Sequence, residues 1–298
     1  AKRTNPTGGG LHCLKNEYKF YVEILGREGT AVEKMLHTPR LLTSNWGPEG
    51  SEERSFLLLM ERLMAPKWVR VEPSEGCSPE QAIAAAQALG RFHYHFSDAK
   101  RVGMLDFLQR SIYDGNLQMH LAHVFMTSMF ALQRLFTRTQ FALVRRLAFE
   151  GNVNDLLADI GQPPLTLLHG DFKSENMRFS TASGASVRVG VFDWGLICVG
   201  RGSFDFTHFM ALSMLPNVRQ QQEKELVQIY LKHLFGGRLP TKAEVQEFEG
   251  QVRCSLLVLL AKLLCVHSGQ RGPGKTRDML ERMVKWTATA AEQWSAMR

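Results

Sequence analysis

No two cysteines of this 298-residue chain form a C-x-x-C pair, and the five present (Cys13, Cys77, Cys198, Cys254, Cys265) are odd in number and scattered. That excludes a zinc ribbon or a disulfide framework and reads as reduced, intracellular thiols. No run of five basic residues occurs; clusters are as short as Arg145-Arg146. The formal charge of +7 therefore permits an anionic partner without providing a nucleic-acid-binding arm. No apolar stretch outruns Cys254 to Val266, thirteen residues that include Lys262. It is too short to span a bilayer and reads as a buried core helix. No apolar signal segment opens the chain, so the expected location is cytoplasmic, and the Ala at position 1 allows for a fragment. No internal repeat or low-complexity segment is present. With 44% hydrophobic and 22% charged residues, the chain is not disordered or collagen-like, and it can form one large or two modest domains.

What is present begins with mixed short segments. Asn16 to Arg27 reads as a helix, and Thr38 to Thr43 and Ser55 to Glu61 as strands around the turn-rich 45–50 loop. Ser78-Pro79-Glu80-Gln81 is a helix start, Ser at the cap and Pro in the first turn, for a helix reaching about Phe96. One long helical stretch is expected from Asn116 to Leu157, with a break near Gly151. A strand-rich island follows at 165–168, 177–180 and 187–192, and then helices at 205–214, 219–235, 242–266 and 276–297. The pattern is a small α+β piece followed by a mainly helical domain with a β-island inside it.

The island carries the chemistry. An apolar strand delivers His169-Gly170-Asp171, Asn176 follows at the end of the loop, and a second apolar strand ends in Asp193-Trp194-Gly195. Phosphoryl transfer needs this set: a carboxylate to accept a hydroxyl proton, and an amide oxygen with a second carboxylate to hold Mg²⁺ on nucleotide phosphates. Asp, four spacers and Asn, then an Asp after a strand, is also the spacing of protein kinases. A turn in which Asp and Asn serve only loop geometry is the plain alternative. His169 is read as holding the loop rather than moving protons. Lys173 is either near a γ-phosphate or a solvated loop lysine.

These residues resemble the catalytic core of the aminoglycoside phosphotransferase and choline kinase superfamily, and most of all its ecdysteroid kinase-like (CHK kinase-like) branch. Leu89-Gly90-Arg91-Phe92-His93 resembles that family's Leu-Ala-x-Phe-His helix, with Gly in place of Ala. Leu57 to Leu63 is similar to the hinge strand that receives adenine, Glu17 to Tyr21 to the glutamate helix, and Asp205-Phe206 to the aspartate that follows the metal strand. The resemblance implies an α+β, protein-kinase-like two-lobed fold with a truncated N-lobe (1–65) and a large, mainly helical C-lobe (66–298). It implies ATP and Mg²⁺ as cofactors, with Asp171, Asn176 and Asp193 catalytic and Asn176 and Asp193 the metal ligands. The nucleotide would be held by Lys2, Glu17, Met60, Glu61 and Leu63. Only sixteen residues precede Glu17, so the glycine-rich hairpin is expected to be missing, and Gly8-Gly9-Gly10 reads as flexible linker.

The leading function is transfer of a phosphate to a hydroxyl of a small molecule: sterol-like, choline-like or another alcohol. Six Lys/Arg against three Asp/Glu from His267 to Arg298 disfavour a polycationic acceptor, and Met- and Phe-rich helices lean toward an apolar one. The Met and Phe residues from Met119 to Phe141 read as core, with the lining of an acceptor pocket as the alternative, His93/His95 and His120/His123 as packing or exposed histidines, and Cys198 as close to the site but inert. The alternative is a truncated or pseudokinase-like remnant. An anion-binding helical protein would rest on charge alone.

Overall fold

The structure, a computed structural model, describes residues 9–46, 56–105, 108, 116–181, 187–269 and 274–296. Helix α1 (Gly9–Lys19), a five-residue π turn (Phe20–Ile24) and α2 (Leu25–Met35) form one continuous helical segment. It is longer at both ends than the Asn16–Arg27 expectation, and Gly9 and Gly10, read as linker, belong to its first turn. The strand expected at 38–43 lies instead at β1 (Leu41–Trp46), since Pro39 cannot donate to a ladder. It pairs antiparallel with β2 (Phe56–Met60).

A two-residue strand, β3 (Trp68–Val69), leads to α3 (Pro79–Phe96). There Ser78 caps the helix and Pro79 occupies the first turn, as expected from the sequence, and Gln81 caps Ser78 in return. The stretch from 116 to 157 is not one helix with a single break. After α4 (Ala99–Gly103) come α5 (Leu117–Leu135), α6 (Arg138–Phe149) and α7 (Val153–Ile160). Thr137 and Gln140 form a second capping box that starts α6, and Asn152 caps α7.

Then β4 (Thr166–Leu168), β5 (Met177–Ser180), β6 (Val189–Val191) and β7 (Cys198–Gly200) form two ribbons, with β3-β5-β6 in one sheet and β4-β7 in the other. The loop from β4 to β5 and the loop from β6 to β7 join the same two ribbons, so the pairing Leu168↔Cys198 and Met177↔Val191 sets them side by side. One carries Asp171 and the other Asp193.

Four helices complete the chain: α8 (Ser203–Ser213), α9 (Pro216–Leu234), α10 (Lys242–Gly269) and α11 (Lys275–Ala296). Every residue of α8 is buried. Its Phe204, Phe206 and Phe209 each contribute about 1.5–3 kcal/mol of apolar burial. By length and composition α10 could cross a membrane, yet here it packs against α5, α7, α8 and α11. Helix α3 lies on α9 at Gly90, where an added Cβ would stand 2.6 Å from the Tyr230 carbonyl oxygen. This approach accounts for Gly where the resembling motif has Ala.

Candidate active site

Strand β4 ends at Leu168 and the chain turns sharply at Gly170, whose φ is +80°. A Cβ there would sit 2.1 Å from the Leu196 carbonyl oxygen, so both conformation and space demand glycine. The turn is held from behind by Asp205 of α8, which is fully buried. Its carboxylate accepts the backbone N–H of His169 at 2.6 Å and that of Gly170 at 2.9 Å. His93 Nε2 lies 3.4 Å from the same carboxylate, and His93 Nδ1 meets the Tyr230 hydroxyl at 2.8 Å. Burial opposes the charge on Asp205, and the contacts from His93 and His169 together outweigh it, holding the carboxyl below its ordinary range. The Ser174 amide donates to Ser213 Oγ at 2.8 Å, fixing the far side of the loop to the end of α8.

His169 is structural. Its Nε2 donates to the Phe192 carbonyl at 3.1 Å, and its Nδ1 accepts the Asp171 amide at 3.2 Å. Burial lowers its pKa, which matches a neutral ring donating at one nitrogen and accepting at the other.

Asp171 keeps about a fifth of its side chain (22%) open to solvent. Asn176 donates through Nδ2 to the Asp171 backbone carbonyl at 2.9 Å and to Asp171 Oδ2 at 3.1 Å. Lys173 Nζ lies 2.8 Å from Asp171 Oδ2 and 3.0 Å from Oδ1, so it is no solvated loop lysine. Lys262 of α10 also acts on Asp171. Burial raises the Asp171 pKa, and the two lysines overcome it, holding the carboxyl far below the usual range. Nζ of Lys262 is buried, 5.9 Å from the Phe204 ring centroid, and His208 packs on the same ring at 4.3 Å. Burial, reinforced by Lys262, takes His208 down to about 3. In the sequence Lys262 stands only as a lone charge interrupting an apolar run, and that charge is the one signal for it.

Asp193 adopts the left-handed conformation, φ 68° and ψ 59°, the single non-glycine positive φ among the described residues. Such backbone strain concentrates at functional positions. The next residue, Trp194, is fully buried and stacks on Phe20 with ring centroids 3.8 Å apart and planes 8° from parallel. It also meets His169 at 4.6 Å, so one aromatic column ties the helical entry segment to both loops. Asn16 donates to the Gly195 carbonyl at 3.3 Å. Glu17 is buried one turn before Tyr21. Burial raises the Tyr21 hydroxyl pKa, and the Glu17 and Asp193 carboxylates raise it further.

Met60 ends β2, the Glu61 amide donates to the Arg40 carbonyl at 2.9 Å, and Leu63 is buried against Gly190 of β6. Glu61 and Tyr21 both border a cleft of about 640 Å³ shared with Glu33, His37 and Arg40. Lys2 lies outside the described residues. Cys198 is buried, and burial pushes its thiol far up, so it is inert. Among the described residues no three His, Cys, Asp or Glu side chains converge as a metal cluster. The core reading of Met119 to Phe141 is overturned for Met119, Met126, Met129 and Phe130, which are exposed because only the opposite side of α5 packs on the molecule.

Two ribbons presenting the Asp171 loop and the Asp193 loop, backed by a large helical unit, define a kinase-like α+β fold. Solved structures share it. A microcompartment-associated aminopropanol kinase superposes with a TM-score of 0.56 at 14% identity, over 94% of this chain and 82% of that one. A Plasmodium vivax ethanolamine kinase gives 0.53 at 13%, over 98% and 74%. An amicoumacin kinase in complex with AMP-PNP, Ca²⁺ and Ami gives 0.52 at 12%, over 96% and 80%. No curated protein matches in sequence. Residues 9–238 match the ecdysteroid kinase-like family, and the chain belongs to it: a family of kinase-like small-molecule phosphotransferases.

Proposed function

We propose that the chain transfers the γ-phosphate of ATP, presented with Mg²⁺, to a hydroxyl group of a small molecule. The observation that carries this reading is the clamp of Asn176 and Lys173 on Asp171, with Asp193 on the adjoining loop. Asp171 orients the acceptor hydroxyl. Held far below its ordinary pKa, it is a weak base, and it takes the proton only as the new P–O bond forms, which suits a loose transition state. Asn176 spends its Nδ2 on Asp171, so its Oδ1 is the oxygen it offers a cation. With the Asp193 carboxylate this makes the two hard oxygen donors that Mg²⁺ takes from protein when phosphates and water supply the rest. The ion, when bound, neutralises charge on the β- and γ-phosphates. Glu17, Met60, Glu61 and Leu63, with Lys2, are the nucleotide-side residues of this reading. Residues 1–65 form the partial N-lobe of this reading, and 66–298 the helical C-lobe with its catalytic and metal-binding loops. Lys173 and Lys262 beside Asp171 favour an acceptor with no cation next to its reacting hydroxyl.

The test joins binding to turnover. ATP with Mg²⁺ at a hundred times its dissociation constant adds about 2.7 kcal/mol of stability, several degrees in the melting midpoint. That rise is expected to require Mg²⁺ and to vanish in Asp193→Ala. Asp171→Asn is expected to keep the rise and lose on the order of 10²–10⁴ in phosphotransfer. Parent-rate turnover by Asp171→Asn would refute the assignment of the base.

A further inference from the structure

Helix α5 turns an apolar ridge to solvent. Met119, Met126, Met129 and Phe130 are 59%, 69%, 38% and 76% exposed. At 100° per residue, Met119, Met126 and Phe130 fall within about 40° of one another, and Met129 lies about 80° from Met119 on the side of Phe125. The Phe125 ring meets Phe149 of α6 edge-on at 5.3 Å, and Phe149 is itself 49% exposed. The ridge therefore continues onto α6, where Arg138, Arg145 and Arg146 are also exposed. From Leu117 to Phe149 there are four arginines, two histidines and no Asp or Glu. Glu150, just past α6, pairs with Arg145 at 2.9 Å and lies 3.9 Å from Arg146, while Arg134 and Arg138 stand exposed at the α5–α6 turn.

We propose that the α5–α6 hairpin is a docking face for an anionic lipid bilayer. Met126 and Phe130 enter the headgroup boundary, and the arginines lie against lipid phosphates and carboxylates. Apolar tips with a basic flank are what interfacial helices present, each buried methylene and each arginine adding to the partition. A second copy of the chain fits the charge poorly, because a two-fold contact sets arginine against arginine with no acid inside the hairpin to pair it. An acidic protein segment would bring the right charge, but the most exposed apolar side chains stand out from the surface instead of lining a groove that could hold a peptide. The proposal stands independently of phosphotransfer.

The experiment sediments the full chain with vesicles of phosphatidylcholine alone and of phosphatidylcholine containing phosphatidylserine. Binding is expected only to the second, weakening as salt rises. A Met126→Asp/Phe130→Asp variant, altered only at exposed positions, is expected to melt like the parent and bind at least about tenfold more weakly. Arg138→Gln is expected to cost about fivefold. Absence of sedimentation with either vesicle overturns the proposal, as does equal binding to both or undiminished binding by the double variant. If instead the parent self-associates and the double variant is monomeric, the face belongs to a second copy. If polyglutamate binds the face and vesicles do not, it belongs to an acidic protein segment.

Discussion

Gly170 is the residue on which the geometry of the candidate site turns. Alanine there would have to adopt φ near +80° and place a Cβ 2.1 Å from the Leu196 carbonyl oxygen, a backbone atom with nowhere to go. Gly170→Ala is expected to destabilise by about 3 kcal/mol, read as a lower urea midpoint at unchanged m-value; a loss under about 1 kcal/mol would contradict the close approach. The residues of this loop were legible in the sequence because they sit within eight positions and follow an apolar strand. Asp193 was legible for the same reason. Lys262 was not. It reaches the site from a helix ninety residues downstream, and nothing local says on which side of α10 it emerges. His93 was recognised as part of a motif, but its place against Asp205 and Tyr230 is a tertiary fact.

At the level of elements, a single atom decides how α3 crosses α9. A Cβ on Gly90 would press on the Tyr230 carbonyl at 2.6 Å and on His233 Cβ at 2.8 Å. Gly90→Ala is expected to push α9 outward at a cost of about 1–3 kcal/mol. Because Tyr230 bonds His93, the same change should lower phosphotransfer more than nucleotide binding. A thermal melt together with separate kcat and KM for ATP would check it, and an unchanged melt would show that the crossing tolerates a methyl group. Helix starts were readable where chemistry marks them, as at Ser78. Thr137 and Gln140 carry the same mark, yet the apolar periodicity running through them masked it. The π turn at 20–24 left no sequence signature, and β3 and β7 are too short for a period to show.

For the whole molecule, acid is the informative stress. His208 is buried and its pKa falls to about 3, against about 6.5 when unfolded. Such a group takes its proton in the unfolded chain first. Its contribution is therefore intact above about pH 6.5 and is lost as pH falls toward 3, at about 1.4 kcal/mol per pH unit. His169, also lowered by burial, adds in the same direction. Asp171 and Asp205, held below their ordinary range, contribute above about pH 4 and are lost only below it. Urea unfolding at pH 7.5 and pH 5 should show a drop of at least about 2 kcal/mol in the parent and a drop smaller by about 2 kcal/mol in His208→Gln. Equal drops would place the acid sensitivity elsewhere. The sheet pairings that bring the two loops together could not be read from sequence, since β4 meets β7 and β5 meets β6 only through register. The same long-range wiring imposes an order in time. The aspartate that shapes the His169–Gly170 turn is made 36 residues after His169, about 2–7 s later at 5–20 residues per second on the ribosome. A nascent chain thus carries the Asp171 carboxylate before it carries the means to aim it, and the candidate site cannot assemble until α8 has been synthesised and docked.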